Sequence, residues 1–328
     1  MPELPDITVY VEGIRALACS QPLLALRVRS LFLLRSVDPP PDAFVGRSLE
    51  GVHRIGKRIA MEFEGDLYAV IHLMIAGRLK WVFAGERSVD ADEEPVAAGE
   101  RSEAIGRAQK PGQGSPRFPA NGIAAFDFPV GTMFVTEAGT KHRASLHLVH
   151  GAGALNAFDR GGVSVFDDPP EAFASALRRE NRTVKRALTD PAIVDGIGNA
   201  YSDEILHRAR MSPFALTRSL DDGQIERLRI AAIEVLNEWT DRLRKEAGPT
   251  LPAKVTAFHK EMAVHGKYGK PCPVCGTPVQ RLVYAENEAN YCPTCQTGGK
   301  ILADRALSRL LKDDWPRTLD ELEQLKKR

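Results

Sequence analysis

The feature that most constrains this chain is the spacing Cys272-x2-Cys275-x16-Cys292-x2-Cys295. Two CxxC knuckles at this separation place four thiolates around a Zn²⁺ ion, with a β-hairpin between them. Val279, Arg281 and Val283 alternate ahead of a turn expected at 286–290, as the first strand of such a hairpin would. All four positions are thiolates and none is left for substrate, so the expected metal is one structural zinc. The fifth cysteine, Cys19, stands alone near a helix end and reads as a small buried hydrophobe. Clustered thiols argue against an extracellular disulfide framework and for a reducing compartment.

The knuckles occupy a small part of a 328-residue chain that is 43% hydrophobic, enough for two domains and an appendage. The formal charge of +1 excludes nothing about nucleic acid, because a binding face needs local rather than total positive charge. The region from Leu251 onward is the more basic one, and its acidic counterweight falls largely within 86–103. No apolar run approaches a membrane span, and MPELPD has neither a basic n-region nor an apolar h-region. These features predict a soluble, unexported, cytoplasmic chain with no membrane partner.

Ile7, Tyr10, Val11, Ile14 and Leu17 recur at helical spacing and predict a helix beginning near Asp6. Segment 58–64 alternates with Ile59, Met61 and Phe63 on one face, and 67–73, 77–83, 123–128, 132–136 and 145–149 are further short strands. Many short strands with tight turns predict a β-sandwich. Residues 84–121, rich in Gly, Pro, Ala and Glu, cannot bury enough apolar surface to offset chain entropy and read as a mobile insertion. After Pro169-Pro170 the periodicity becomes helical, at 171–179, 183–190, 200–210 and 221–244. The tail from Ile301 carries LADRALSRLLKDDW, whose stripe of Leu302, Ala306, Leu310 and Leu311 predicts a docked helix. Trp81, Trp239 and Trp315 read as packing residues. His53, His72, His142, His147 and His150 show no metal spacing.

Two further segments could carry chemistry. In IVDGIGNAY, at 193–201, Gly196 and Gly198 let the backbone turn sharply ahead of a helix that carries Asp203 and Glu204. Backbone N–H groups there, with the Asn199 amide, could hold a phosphate. On spacing alone a glycine-rich interhelical turn explains the segment better. If Met1 is removed, Pro2 presents a secondary amine with Glu3 beside it, and an α-amine titrates close enough to neutrality to act as a nucleophile. By composition alone PELPD is only a proline-flanked start.

Together these segments resemble the formamidopyrimidine-DNA glycosylase/endonuclease VIII family, essentially from the start to Lys300. The matches are PELPD, the GKR turn at 56–58, HL-x-x-x-G at 72–77, Lys185 with GIGNAY and Glu204, and the finger ending YCPTCQ. The resemblance implies an α+β multidomain fold. It has an N-terminal β-sandwich with flanking helices (1–168, with 84–121 inserted), a helix–two-turn–helix domain (169–265), a zinc finger (266–300) and a helical tail (301–328). It implies that Pro2 attacks C1′ of a damaged nucleotide, that Glu3 protonates the sugar ring oxygen, and that eliminations from the Schiff base break the strand. Lys57 would contact phosphate near the lesion, Asn199 beside Gly198 would position the DNA backbone, and Lys185 would lie near the lesion. Such enzymes flip the base from the stack.

The chain departs from the family in its duplex-handling residues. The stack-wedging methionine aligns with Ile75, and Met74 stands beside it; either is an apolar wedge. The loop that usually carries a void-filling Arg-Phe pair reads EAGTKHRAS at 137–145, with no aromatic ring. The arginine near the finger tip is replaced by Asn287, between Glu286 and Glu288. The leading expectation, following the resemblance, is a monomeric base-excision glycosylase and abasic-site lyase of a bacterial nucleoid, acting on oxidised or ring-opened bases with damaged DNA as partner. The alternatives are a catalytically silent damage-binding protein of the same fold, and a glycosylase specialised for single-stranded or cross-linked DNA.

Overall fold

In the computed structural model, the described residues are 1–86, 115–139, 141–252, 259–284, 287–303 and 316–326. Most of the expected insertion, the tail segment 304–315 with Trp315, and residues 285–286 lie outside them. The chain divides into two compact units, Met1–Asp159 with Thr240–Val255, and Arg160–Trp239 with Thr256–Arg328. Among the described residues no helix is long and apolar enough to cross a membrane.

The first unit opens with α1 (Leu4–Ala18), whose Ile7, Tyr10, Val11 and Ile14 are buried as their spacing requires. Among the described residues eight strands follow: β1 (Ala25–Val28), β2 (Leu49–Ile55), β3 (Arg58–Phe63), β4 (Leu67–His72), β5 (Gly77–Phe83), β6 (Gly122–Phe128), β7 (Gly131–Glu137) and β8 (Ser145–His150). They form two antiparallel four-stranded sheets, in the orders β1-β6-β7-β5 and β2-β3-β4-β8. This is the expected sandwich. Ile59, Met61 and Phe63 point from β3 into the core shared by α1 and both sheets, where Phe63 meets Phe44 edge-on at 5.4 Å. Burying side chains of this size stabilises by roughly 1.5–3 kcal/mol each, so the core specifies which face of each strand turns inward. The opposite face, with Ala60, Tyr68 and Val70, is covered by Leu155 and Phe158 from the short helix α2 (Ala152–Asn156) and the residues after it.

Two strands went unanticipated. In β2 the register shifts between Leu49 and Gly51, and this irregularity breaks the alternation by which a strand is recognised. β1 is only four residues long and carries Arg27, whose guanidinium binds Asp127 at 2.7 and 2.9 Å. The described end of the insertion, 115–121, is held on the first sheet: the Phe118 ring lies 5.7 Å from Phe134 and 4.9 Å from the Arg27 guanidinium. Cys19, at the C-cap of α1, packs half-buried against the core.

The second unit holds α3 (Pro170–Arg178), α4 (Val184–Thr189), α5 (Asn199–Arg208) and, in its larger part, α6 (Asp222–Ala247). Pro169 and Pro170 occupy the cap and first turn of α3, where a missing N–H costs nothing. Gly196 has φ 77°, and Gly198 is the N-cap of α5, so the GIGN glycines make the turn into that helix. Trp239 is buried edge-on to Tyr201. The finger follows as β9 (Gln280–Tyr284), β10 (Asn287–Tyr291) and α7 (Pro293–Thr297), with α8 (Leu319–Lys326) at the end.

The finger corrects two sequence expectations. Residues 287–290 belong to β10 rather than to the turn, with Asn287 paired to Tyr284. The inward face of β9 is Gln280 and Leu282, while Arg281 and Val283 face out. Val279 is buried ahead of the strand and so misled the parity. Leu282, Ala289 and Tyr291 pack with Phe214 and with Leu302, the one described member of the tail's apolar stripe.

Candidate functional site

The amino end of the first unit is folded inward. Glu3 is the N-cap of α1 and forms a reciprocal capping box with Asp6, whose Oδ2 accepts the Glu3 N–H at 2.8 Å. Pro2, Glu3 and Asp6 are all buried. The α-amine, carried here by Met1, has its pKa lowered chiefly by burial and further by Arg78 and Lys57, against the opposing pull of Glu3 and Asp6. A lowered amine pKa means a larger neutral, nucleophilic fraction at physiological pH. Asp6 is pushed up to about 7 by burial first and by the neighbouring Glu3 carboxyl second among the raising causes, against the Glu3 N–H bond. Two carboxyls and two cations therefore act electrostatically on one amine.

Lys57 sits in the two-residue turn joining β2 and β3, in which Gly56 takes φ 60°, and its charge acts on the amine. His72, at the end of β4, is lowered to about 4 by burial, Arg58 and Lys57, and is neutral at physiological pH. In the following loop Ile75 is 61% exposed, whereas Met74 is partly buried in a left-handed backbone conformation. Of the two wedge candidates, Ile75 is the one that projects. Gly77 closes the loop with its N–H on the Leu73 carbonyl at 2.9 Å, where an added Cβ would stand 2.3 Å from that oxygen. The Arg78 guanidinium then binds the Ile75 and Gly77 carbonyls.

The 137–145 loop is organised by Glu137, buried at the end of β7. Its Oε1 accepts the N–H groups of Arg143 (2.8 Å) and Ala144 (3.0 Å), and its Oε2 lies 3.6 Å from His142 Nδ1. Lys141, His142 and Arg143 are consequently presented to solvent.

In the second unit the Lys185 ammonium is buried. It donates to Asp203 Oδ1, to Ser202 Oγ at 3.0 Å and to the Asn199 carbonyl at 3.2 Å. These bonds pin the first turn of α5, so the lysine acts on that turn. The Asn199 amide donates to the Glu288 carbonyl at 2.7 Å. Asp203 Oδ2 binds His265 Nδ1 at 2.8 Å and accepts the Asn290 N–H at 3.1 Å. Glu204 accepts three consecutive N–H groups, of Ala263, Val264 and His265, at 2.7–2.9 Å. Burial raises its pKa against those three bonds.

The sulfurs of Cys272, Cys275, Cys292 and Cys295 all lie within 4.8 Å of one another, and no disulfide joins them. Tetrahedral zinc, with Zn–S of about 2.3 Å, needs sulfurs about 3.8 Å apart, so the donor set fits that ion. Cys292 caps α7, its Sγ facing the Cys295 N–H at 3.5 Å, and Gly298 ends the helix at φ 60°. The Asn287 side chain lies outside the described residues.

Reading the sequence missed Asp6, Arg78 and His207. Asp6 had a local signal, an acid three residues after a helix cap, whereas nothing local marks the electrostatic influence of Arg78 on the amine. His207 lies 3.2 Å from Cys272 Sγ across 65 residues of sequence, and nothing local marks it.

A sandwich with a buried amine at its edge, accompanied by a helical unit ending in a four-thiol hairpin, is a two-module architecture. Residues 1–107 match the formamidopyrimidine-DNA glycosylase N-terminal domain, 166–244 the H2TH domain of the same enzymes, and 269–298 a zinc finger found in FPG and IleRS. A formamidopyrimidine-DNA glycosylase-like protein of Mycobacterium tuberculosis is 42% identical over 151 residues, covering 46% of this chain and 94% of that protein. The formamidopyrimidine-DNA glycosylase of Aromatoleum aromaticum is 28% identical over 90% of this chain and 99% of its own. The MutM (FPG) crystal structure from Thermus thermophilus superposes with a TM-score of 0.68 at 27% identity, over 90% and 98% of the two chains. Lactococcus lactis Fpg bound to abasic-site DNA gives 0.71 at 20% identity, over 90% and 99%, a likeness of fold. The chain belongs to the formamidopyrimidine-DNA glycosylase family.

Proposed function

We propose that this protein is a base-excision repair glycosylase with abasic-site lyase activity, acting on oxidised or ring-opened bases through the amine of Pro2. The observation that carries the reading is the buried Pro2–Glu3–Asp6 segment, at whose end burial lowers the pKa of the α-amine on Met1, with Glu3, Asp6, Arg78 and Lys57 acting on it. Once Met1 is removed, the Pro2 nitrogen attacks C1′ as the bond to the damaged base breaks and its electron pair leaves with the base. Glu3 gives a proton to the sugar ring oxygen, the ring opens, and an iminium forms between Pro2 and C1′. The iminium acidifies the C2′ proton. Loss of that proton expels the 3′ phosphate, and a second elimination expels the 5′ phosphate. Lys57 neutralises phosphate charge beside the reacting sugar.

Residues 1–168 carry this chemistry in our reading, while 169–265 and the finger at 266–300 grip damaged DNA. Gly198 and Asn199 present the α5 turn to the DNA backbone, Lys185 holds that turn in shape, and Ile75, backed by Met74, enters the stack. Asn287 stands at the finger's hairpin without adding a cation. Cys272, Cys275, Cys292 and Cys295 hold one Zn²⁺, which supplies a structural cross-link when bound. The exposed Lys141-His142-Arg143 segment, with no Phe, Tyr or Trp to fill a void, favours tolerance of single-stranded or bubble substrates.

The test is Pro2→Gly, which keeps an amine but not a secondary one. Base release and strand cleavage should both collapse on a lesion panel. Wild-type rates in the variant would reject the assignment.

A further inference from the structure

The four sulfurs of the finger differ in where their hydrogen-bond donors come from. Cys275 is served by Thr277 and Cys292 by the Cys295 N–H, both inside the finger. Cys272 is only 2% exposed, and the ring that reaches it belongs to His207, the penultimate residue of α5. His207 is itself buried, with Nε2 at 3.2 Å from Cys272 Sγ. Four thiolates around a divalent ion leave a net charge of about −2, which is costly in a buried place unless donors face the sulfurs. A zinc-bound thiolate carries no proton and can only accept, so the proton of this bond has to reside on Nε2.

Resting on the zinc reading above, we infer that His207 is a positioning residue for the metal centre, donating its Nε2–H to the Cys272 thiolate and so coupling zinc retention to helix α5. The bond spreads charge from one sulfur, fixes the χ angles of Cys272, and ties the finger's first knuckle to the helix that begins at Asn199. Partners of this kind around metal ligands typically account for about 10–100-fold in metal affinity.

The experiment uses the full-length zinc-loaded protein. Zinc content is measured first, then affinity by competition with a chromogenic chelator for wild type, His207→Phe and His207→Gln. Phenylalanine keeps a ring of similar size and removes the donor, whereas glutamine keeps an N–H. Zinc affinity should fall about 10–100-fold in His207→Phe and less in His207→Gln. In wild type, ¹⁵N imidazole spectra should show the Nε2–H form of His207, a readout that survives if the phenylalanine variant does not fold. Equal affinities in all three proteins, or a wild-type ring protonated at Nδ1 with Nε2 bare, would overturn the inference while leaving the zinc assignment intact. Wild type without stoichiometric zinc would overturn both.

Discussion

Of the places where the protein buries acidic side chains, two hold them by different means. At the amino end Asp6 lies beside Glu3, a second carboxyl, and both face an amine that is itself depressed by burial. In the second unit Asp203 lies between Lys185 and His265, and Glu204 gathers three backbone N–H groups. A buried carboxyl beside a like charge, as Asp6 is beside Glu3, holds its proton up to about 7, which suits acid–base chemistry. Carboxylates saturated by cations and N–H groups hold segments in register, because breaking any one contact leaves a buried charge uncovered. Sequence records both as acids near glycine or proline. Only packing separates the poised Asp6 from the fixed pair.

That contrast predicts opposite profiles for two substitutions. Glu3→Gln should cost roughly 10²–10⁴-fold in base release, while stability changes by about 1 kcal/mol, the scale of a helix cap. Lys185→Met should cost about 3–5 kcal/mol of stability in the second unit, read by denaturant unfolding. If Glu3→Gln proved the more destabilising of the two, the division into poised and fixed acids would fail.

Asp6 allows a finer test through pH. Its folded-state pKa, about 7, lies above the ordinary carboxylate value. The protonated form is therefore favoured by folding, and this contribution is present in acid and lost as pH rises toward about 7. Asp6→Asn removes the titration and keeps an acceptor for the Glu3 N–H. The stability of Asp6→Asn relative to wild type should rise between the ordinary carboxylate range and neutrality. A difference flat in pH would remove Asp6 from the set of poised groups.

How far these regions could be read in advance follows from the range of the interactions that define them. The α1 face and the β3 alternation of Ile59, Met61 and Phe63 are local patterns, visible in a few residues. The bulged β2 was not, since an irregularity of register erases the very alternation that announces a strand. The four cysteines were legible from spacing. The buried environments of Lys185 and His207 come from contacts across 18 and 65 residues, and no local pattern encodes them. The parity of β9 was misread because Val279, buried ahead of the strand, mimics its first inward residue.

The smallest expected effect concerns the finger. Asn287→Arg would add one phosphate contact and steepen the salt dependence of duplex binding by about one unit. Discrimination among bases opposite the lesion should stay weak in wild type, and activity on single strands comparatively good. A salt slope unchanged by Asn287→Arg would place this position away from the DNA.

The central claim is that this poised environment activates the amine of Pro2. Borohydride trapping on lesion-containing DNA, followed by peptide mapping of the adduct, addresses it directly. The account predicts active protein lacking Met1, with the reduced adduct on the Pro2 nitrogen. An adduct on Lys57, or full activity in protein that retains Met1, would contradict it.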